Sequence, residues 1–154
     1  MATLIDGKGA HLTFEAVLDG WPADARHVAP EGTPHTAWQL LEHMRLAQWD
    51  ILEFCINPRY AEPRFPDDYW PPVAVAPDAA AWTESLAQFA HDRGAMKQLV
   101  ADRSTDLFRP IPHGTGQTIL REALVVADHN AYHLGQLVLL RRLLGQWHSP
   151  AVAL

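Results

Sequence analysis

Two histidines four positions apart, His129 and His133, are the residues whose types and spacing most directly suggest chemistry. They stand in the segment HNAYHLGQLVLLRR, residues 129–142, which otherwise has the apolar character of a packed helix. Residues at i and i+4 lie on one face of a helix, with Cβ atoms about 5 to 6 Å apart. Both imidazoles could therefore bind one metal ion, although the same spacing also describes two histidines buried in a core.

Two imidazoles hold a zinc-like ion weakly, so a metal site here needs a third ligand from another element. The best candidate is His43, in the segment TPHTAWQLLEHMRLAQWD, at the edge of an apolar helical stripe. Three neutral histidines with open positions are typical of a catalytic metal, because structural zinc sites are usually closed by four protein ligands. Such an ion lowers the pKa of bound water toward about 7.

Five further residues carry polar or reactive side chains that are interpreted differently. Glu122 and Gln136 share the predicted helix face with the two histidines and could hydrogen-bond a ligating imidazole. His35 is interpreted as a surface or helix-start residue. His113 lies in the loop ahead of the last helix, where it could approach the mouth of the pocket, but a position away from the site is favoured. The single cysteine, Cys55, is expected to be a small core residue rather than a nucleophile.

The elements that must position these residues are predicted to be helices. No segment alternates polar and apolar residues with bounding turns, so the sequence predicts an all-α domain. Helices are predicted over about residues 9–19, 33–56, 78–101 and 118–144. Thr33 with Pro34 indicates the start of the second, Asp78 the N-cap of the third, and Gly145 the end of the fourth. This pattern with one long crossover predicts a four-helix bundle.

The crossover between the second and third predicted helices, residues 57–77, is rich in proline and aromatic residues. It holds six of the twelve prolines together with Tyr60, Phe65, Tyr69 and Trp70. Aromatic side chains favour packing over disorder, so we predict an ordered strap over the domain. Plain packing over a helix pair is favoured over a lid on a pocket, and the choice between the two stays open.

Three large side chains have less specific interpretations. Arg93 falls within the inner stripe of the third predicted helix and is expected to extend its charge to the rim rather than to bind an anion. Trp38 and Trp49 are predicted to lie on the side of the second helix away from its main stripe. They would pack there under the strap or at a dimer interface.

Composition limits the functional classes. A chain of 154 residues fits one domain, taken as residues 1–154. The net charge of −6 and pI near 5.8 argue against a nucleic-acid-binding protein. A single cysteine and the lack of an apolar leader predict a cytoplasmic protein, and the apolar runs are too short to cross a membrane.

The segments TPHTAWQLLEHMRLAQWDILEF, RFPDDYWP and ADHNAYHLGQLVLLRRLLGQW resemble the DinB/YfiT-like family of metal-dependent four-helix proteins. The resemblance covers about residues 10 to 147. It implies metal ligands at His43, His129 and His133, an up-down-down-up helix order, and a zinc, nickel or similar divalent ion. It also implies a frequent homodimer, and some relatives are S-transferases or isomerases that use low-molecular-weight thiols.

Three functional hypotheses follow. The first is a metal-dependent enzyme acting on a small molecule, either a thiol-dependent S-transferase or a metal-dependent hydrolase. The second is a non-enzymatic, stress-related bundle that binds a metal or small ligand. The third is a helical interaction domain whose histidines are merely buried. No side chain beyond the trio is assigned a catalytic role.

Overall fold

The structure is a computed structural model, and it describes residues 1–8, 10–72 and 75–147. Within these ranges it contains five α-helices and no β-strand, which confirms the all-α prediction. The helices are α1 (Ala2–Ile5), α2 (Phe14–Leu18), α3 (Ala37–Ile56), α4 (Ala79–Ala101) and α5 (Ile119–Leu143). None of the helices in the described ranges is long and apolar enough to cross a membrane.

The N-terminal region differs from the single helix predicted over residues 9–19. Helix α2 begins only at Phe14, because Thr13 takes an extended conformation and its Oγ1 accepts a hydrogen bond from the Ala16 amide. The additional helix α1 precedes it and ends near Gly7, whose φ of +66° stops the helical path. The three long helices α3, α4 and α5 pack together, and the short helices contact α4 and α5. The four-helix description therefore stays a prediction.

The N-cap of α3 is three residues beyond Thr33, so the prediction that Thr33 starts this helix was wrong. Thr36 is the N-cap, with its Oγ1 accepting from the Gln39 amide at 3.1 Å. The Gln39 side chain accepts from the Thr36 amide in return, also at 3.1 Å. This reciprocal capping box satisfies two amides that a helix start otherwise leaves unpaired. Thr33 instead donates its hydroxyl to the Pro30 carbonyl, 2.7 Å away within the preceding loop.

Replacing Thr36 with alanine is expected to lower the free energy of unfolding by about 1 kcal/mol, the usual cost of a lost N-cap. The Thr33→Ala variant is the matched control, since it removes only a hydrogen bond inside the loop. Urea denaturation of both variants measures the difference. A loss for Thr33→Ala as large as that for Thr36→Ala would contradict the assigned start of α3.

The core between the long helices is built from fully buried side chains of all three. Leu41 and Met44 of α3, Phe89 of α4 and Leu137 of α5 have at most 1% of their surface exposed. Phe14 of α2 stacks on Phe89, with ring centroids 3.9 Å apart. Such close packing fixes the positions of the helices, and hence of the residues they carry.

Trp38 corrects one sequence prediction. It lies within the core cluster rather than on an outer side of α3, and its ring centroid is 6.4 Å from that of Trp82 on α4. Trp49 is 37% exposed, in line with its predicted place away from the main stripe. The difference arises because α4 packs across α3 and covers Trp38, a contact that the stripe of one helix does not specify.

A polar bridge inside the bundle sets the register of α5 against α3. The Gln48 side chain, fully buried, donates from Nε2 to the Phe89 carbonyl at 2.8 Å. Its Oε1 accepts from Asn130 Nδ2 at 2.9 Å. Buried amides that lose such partners cost free energy, so this bridge disfavours a shifted register. Asn130 is the neighbour of His129, and the bridge therefore also fixes the candidate site.

Arg93 binds neighbouring carboxylates. Its guanidinium forms an ion pair with Glu15 of α2 and lies 3.9 Å from an Asp6 carboxylate oxygen. Lys97 also pairs with Asp6, at 2.7 Å. The Arg93 side chain is 13% exposed, and these pairs attach the N-terminal segment to α4. The expectation that Arg93 extends its charge to the rim of the helix stripe stays a prediction.

Candidate metal centre

The three predicted histidines come together in the structure. His43 projects from α3 and His129 and His133 from α5, and one ring nitrogen of each lies within 4.8 Å of those of the other two. The ring centroids are 4.5 to 4.9 Å apart, and each pair of rings is steeply inclined. The helical spacing brings His129 and His133 together, and the packing of α3 against α5 adds His43.

His43 is oriented by the backbone of the strap. Its Nδ1 donates a hydrogen bond to the Tyr69 carbonyl oxygen, 3.1 Å away. Because a carbonyl can only accept, Nδ1 carries the proton of the neutral ring and Nε2 presents a lone pair. This Nε2 lies 3.1 Å from Nε2 of His129. The lone pair of His43 is therefore directed toward the α5 histidines.

His133 is oriented from within its own helix. Its Nδ1 donates to Oε1 of Gln136, one turn further along α5, at 2.8 Å. Its Nε2 is consequently the acceptor nitrogen of a neutral ring. Gln136 thus contacts a ligand candidate as the sequence predicted, whereas Glu122 does not. Glu122 is buried at the start of α5, where it accepts a hydrogen bond from Arg121 at 2.6 Å.

Burial keeps these imidazoles neutral in the metal-free protein. Loss of hydration lowers the pKa of His43 to about 4, and the nearby His133 and His35 add to the effect. The hydrogen bond to Tyr69 opposes this shift without cancelling it. Burial and the two neighbouring imidazoles likewise lower the pKa of His129 to about 4, and burial also lowers the pKa of His133. Neutral imidazole is the form that binds a metal ion.

Trp70 of the strap covers one side of the trio. Its ring stacks on His43 with a centroid distance of 3.8 Å and an interplanar angle of 6°. The opposite face of Trp70 stacks on His35 at 4.0 Å. His35 is thus separated from the trio by an indole and is not a ligand candidate, in agreement with its sequence interpretation. Residues 73 and 74 of the predicted strap lie outside the described residues.

Tyr132 lies between the trio and solvent, whereas His113 lies away from the trio. The Tyr132 ring is 65% exposed, and its centroid lies 4.9 Å from that of His133 in an edge-on arrangement. His113 donates from Nε2 to the Phe54 carbonyl at 2.7 Å, near the C-terminal end of α3. His113 is therefore remote from the trio, as expected, and Tyr132 borders the trio on the solvent side.

Sequence reasoning missed three groups that surround the trio. The Tyr69 carbonyl belongs to the backbone, so the residue type at this position does not predict its contact with His43. Tyr132 has no distinctive signal beyond its place next to His133. Trp70 was recognised only as one of four aromatic residues in the strap, because its contact with His43 depends on how the strap folds back over α3.

The donor set fits a divalent ion with open coordination positions. Each histidine can offer one neutral imidazole nitrogen, and in the part of the chain described here no Asp, Glu or Cys joins the cluster. Cys55 is buried elsewhere, and burial together with the negative charge of Glu122 raises its pKa to about 12. Its thiol is accordingly protonated at neutral pH, which agrees with the core role predicted from the sequence.

Comparison with known proteins identifies a family. The family model described as the DinB superfamily matches residues 10–137. This range includes α2, α3, α4 and the three histidines, together with the strap between α3 and α4. No curated protein and no solved structure matches the chain at a significant level.

Proposed function

The chain belongs to the DinB superfamily, and on that premise we propose that it is a metal-dependent enzyme with a divalent ion bound by His43, His129 and His133. The convergence of three neutral imidazoles from two helices, two of them buried and that of His129 half-buried, supports this proposal. Three protein ligands leave positions for a substrate, which distinguishes a catalytic site from a closed structural one. Zinc or nickel is the proposed ion, since imidazole nitrogen suits both.

Thiol-dependent transfer to a small-molecule electrophile is the reaction class we favour. A bound ion supplies Lewis acidity, which lowers the pKa of a coordinated thiol or water. Hydrolytic metal sites commonly add a carboxylate as general base, and the histidine cluster contains none among the described residues. Cys55 cannot supply the sulfur because it is buried and protonated. We therefore propose that a low-molecular-weight thiol from solution is the sulfur donor.

The overall reaction balances without a redox partner. The thiol gives up its proton to solvent, its sulfur forms a bond to an electrophilic carbon, and the leaving group departs with the bonding electron pair. The residues of this chain act as supports: Gln136 and the Tyr69 carbonyl keep Nε2 of two histidines available as acceptors. Trp70 covers His43 and excludes water from that side.

A non-enzymatic role in binding a metal or small ligand is the second candidate. It is favoured by the same composition of the cluster, because no carboxylate or thiol of the described residues joins the three histidines as a further potential metal ligand. A metal sensor or store would need the ligands alone. Both candidates require the metal, and they differ in whether the loaded protein consumes a substrate.

Thiol consumption by the loaded protein tests the choice between these functions. Protein purified without a tag is loaded with Zn²⁺ or Ni²⁺ and incubated with small thiols and alkylating or epoxide electrophiles. We expect metal-dependent loss of thiol that stops on chelation and in His43→Ala, but not in His27→Ala, whose imidazole is exposed. Hydrolysis of esters or amides without thiol loss would instead identify a hydrolase. No reaction in either assay would favour the non-enzymatic role in binding a metal or small ligand.

A further inference from the structure

Three residues spaced along α3 form hydrogen bonds to the strap. Gln39 donates from Nε2 to the Pro71 carbonyl at 3.2 Å, and His43 donates to the Tyr69 carbonyl at 3.1 Å. Asp50, two helical turns beyond His43, accepts the Tyr69 hydroxyl at 2.6 Å. The strap is therefore attached on both sides of the candidate ligand.

Asp50 makes the strongest of these attachments. Its two carboxylate oxygens accept separate hydroxyls, from Tyr60 at 2.5 Å and from Tyr69 at 2.6 Å. Such short bonds to a charged acceptor are stronger than bonds between neutral groups. Burial, followed by the hydrogen bond and charge of Asp50, raises the pKa of both tyrosines, so both remain protonated donors.

The part of the strap between Tyr60 and Tyr69 is held at both ends by Asp50 and is also bonded internally. The Arg64 amide donates to Asp68 Oδ2 at 2.8 Å, and the Asp68 amide donates to the Arg64 carbonyl at 2.9 Å. A 3₁₀ turn at Asp67–Tyr69 follows and delivers Tyr69, which is 8% exposed. The position of the Tyr69 backbone therefore depends on where its side chain is anchored.

We infer that Asp50 is a positioning residue of the metal centre. It holds the Tyr69 side chain, which places the Tyr69 carbonyl so that the Nδ1–H of His43 is fixed and its Nε2 is directed at the α5 histidines. This inference rests on the proposed metal-binding function. Partners of ligating histidines orient the ring and set the tautomer, and their loss typically lowers metal affinity about 10- to 100-fold. A backbone carbonyl cannot be removed by substitution, so this contact is changed through the side chains that anchor it, Asp50 and Tyr69.

Cobalt binding tests the inference, because Co²⁺ replaces zinc in histidine sites and its visible absorption reports the coordination geometry. Metal-free wild type, Asp50→Asn and Tyr69→Phe are titrated with Co²⁺. We expect the Kd to rise at least about 10-fold in both variants, and their absorption bands to shift. Tyr60→Phe should change both less, since the Tyr60 hydroxyl also binds Asp50 but no Tyr60 backbone contact with a histidine of the trio is observed.

Asp6→Asn is the control for a general loss of stability. It makes the same chemical change at a carboxylate that pairs with Lys97, outside the strap, and should leave the Co²⁺ affinity and spectrum unchanged. Wild-type behaviour of both Asp50→Asn and Tyr69→Phe would overturn the inference, as would equal changes in Asp6→Asn. If Asp50→Asn does not fold, Tyr69→Phe decides alone. Failure of wild type to bind Co²⁺ would overturn the proposed function itself.

Discussion

His129→Ala is expected to abolish stoichiometric metal binding. The substitution removes one of three imidazoles and leaves two, which hold a zinc-like ion weakly. Loss of a mere partner of a ligating histidine already lowers affinity about 10- to 100-fold, so loss of a ligand should raise the Kd by more than about 100-fold. Nε2 of His129 also lies 3.1 Å from Nε2 of His43.

Metal content after purification without a tag, and Zn²⁺ titration of the metal-free protein, measure this loss. His113→Ala is the matched control, because its ring binds the Phe54 carbonyl away from the trio. The His113→Ala protein should retain one ion per chain. Equal metal content in wild type and His129→Ala would remove His129 from the site and leave the convergence of imidazoles as a feature of packing alone.

The metal-free protein is expected to lose stability as the pH falls from about 6.5 to about 4. Burial lowers the folded-state pKa of His43 and of His129 to about 4, from an ordinary value of about 6.5 for histidine. Between these values the unfolded chain binds more protons than the folded one, so the free energy of unfolding decreases as the pH decreases. For His43 alone, which is 5% exposed, the shift corresponds to roughly 3 kcal/mol.

A saturating ion should add to the stability of the folded protein near neutral pH, where the imidazoles are free of protons. A ligand present at 1,000 times its Kd adds about 4 kcal/mol to the stability of the folded state, and protons compete with it only as the imidazoles titrate. Urea denaturation at pH 7, 5.5 and 4.5, with chelator and with excess Zn²⁺, measures both effects. His27→Gln should keep the wild-type slope because His27 is exposed, whereas His43→Gln should show a shallower one. A pH-independent stability of the metal-free protein between 7 and 4.5 would contradict the neutral, buried state of the trio.

The helices that the sequence predicted well carry complete local signals. Asp78 precedes α4 and its side chain accepts from the Ala81 amide, as its type and place before an apolar stripe suggested. Thr118 does the same for α5, and Gly145 takes a φ of +69° just past its end. In these places the nearest neighbours along the chain decide the structure.

The start of α3 shows a local signal that was misassigned. Two threonines, Thr33 and Thr36, precede the same apolar stripe, and Pro34 favoured the first of them. The reciprocal partner, Gln39, stands three residues after Thr36 and identifies the true N-cap. The sequence therefore contained the answer, and the spacing to the glutamine was the feature that distinguished the two.

In the candidate site too, local sequence signals predicted some residues, and contacts between distant segments decided the others. Helical spacing alone placed His129 and His133 on one face, and Gln136 with them. Neither the pairing of His43 with α5 nor the carbonyl that orients it could follow from spacing, because both depend on contacts between distant segments. The place of His43 at the edge of an apolar stripe made it the candidate third ligand, and the family resemblance implied the same residue. Nothing in the sequence indicated Asp50, whose role arises only when the strap folds back along α3.

The separation of the histidines along the chain has a consequence for the mechanics of the fold. His43 and His129 are 86 residues apart, so an ion shared by them would act as a reversible cross-link closing a long loop. By the loop-entropy relation developed for disulfides, such closure would disfavour by about 4 to 5 kcal/mol those unfolded conformations that keep the ion bound to both residues. Helix α4 lies inside that loop and supplies no histidine to the trio. The ion would therefore limit how far α4 can move away from α3 and α5, although α4 supplies no ligand to it.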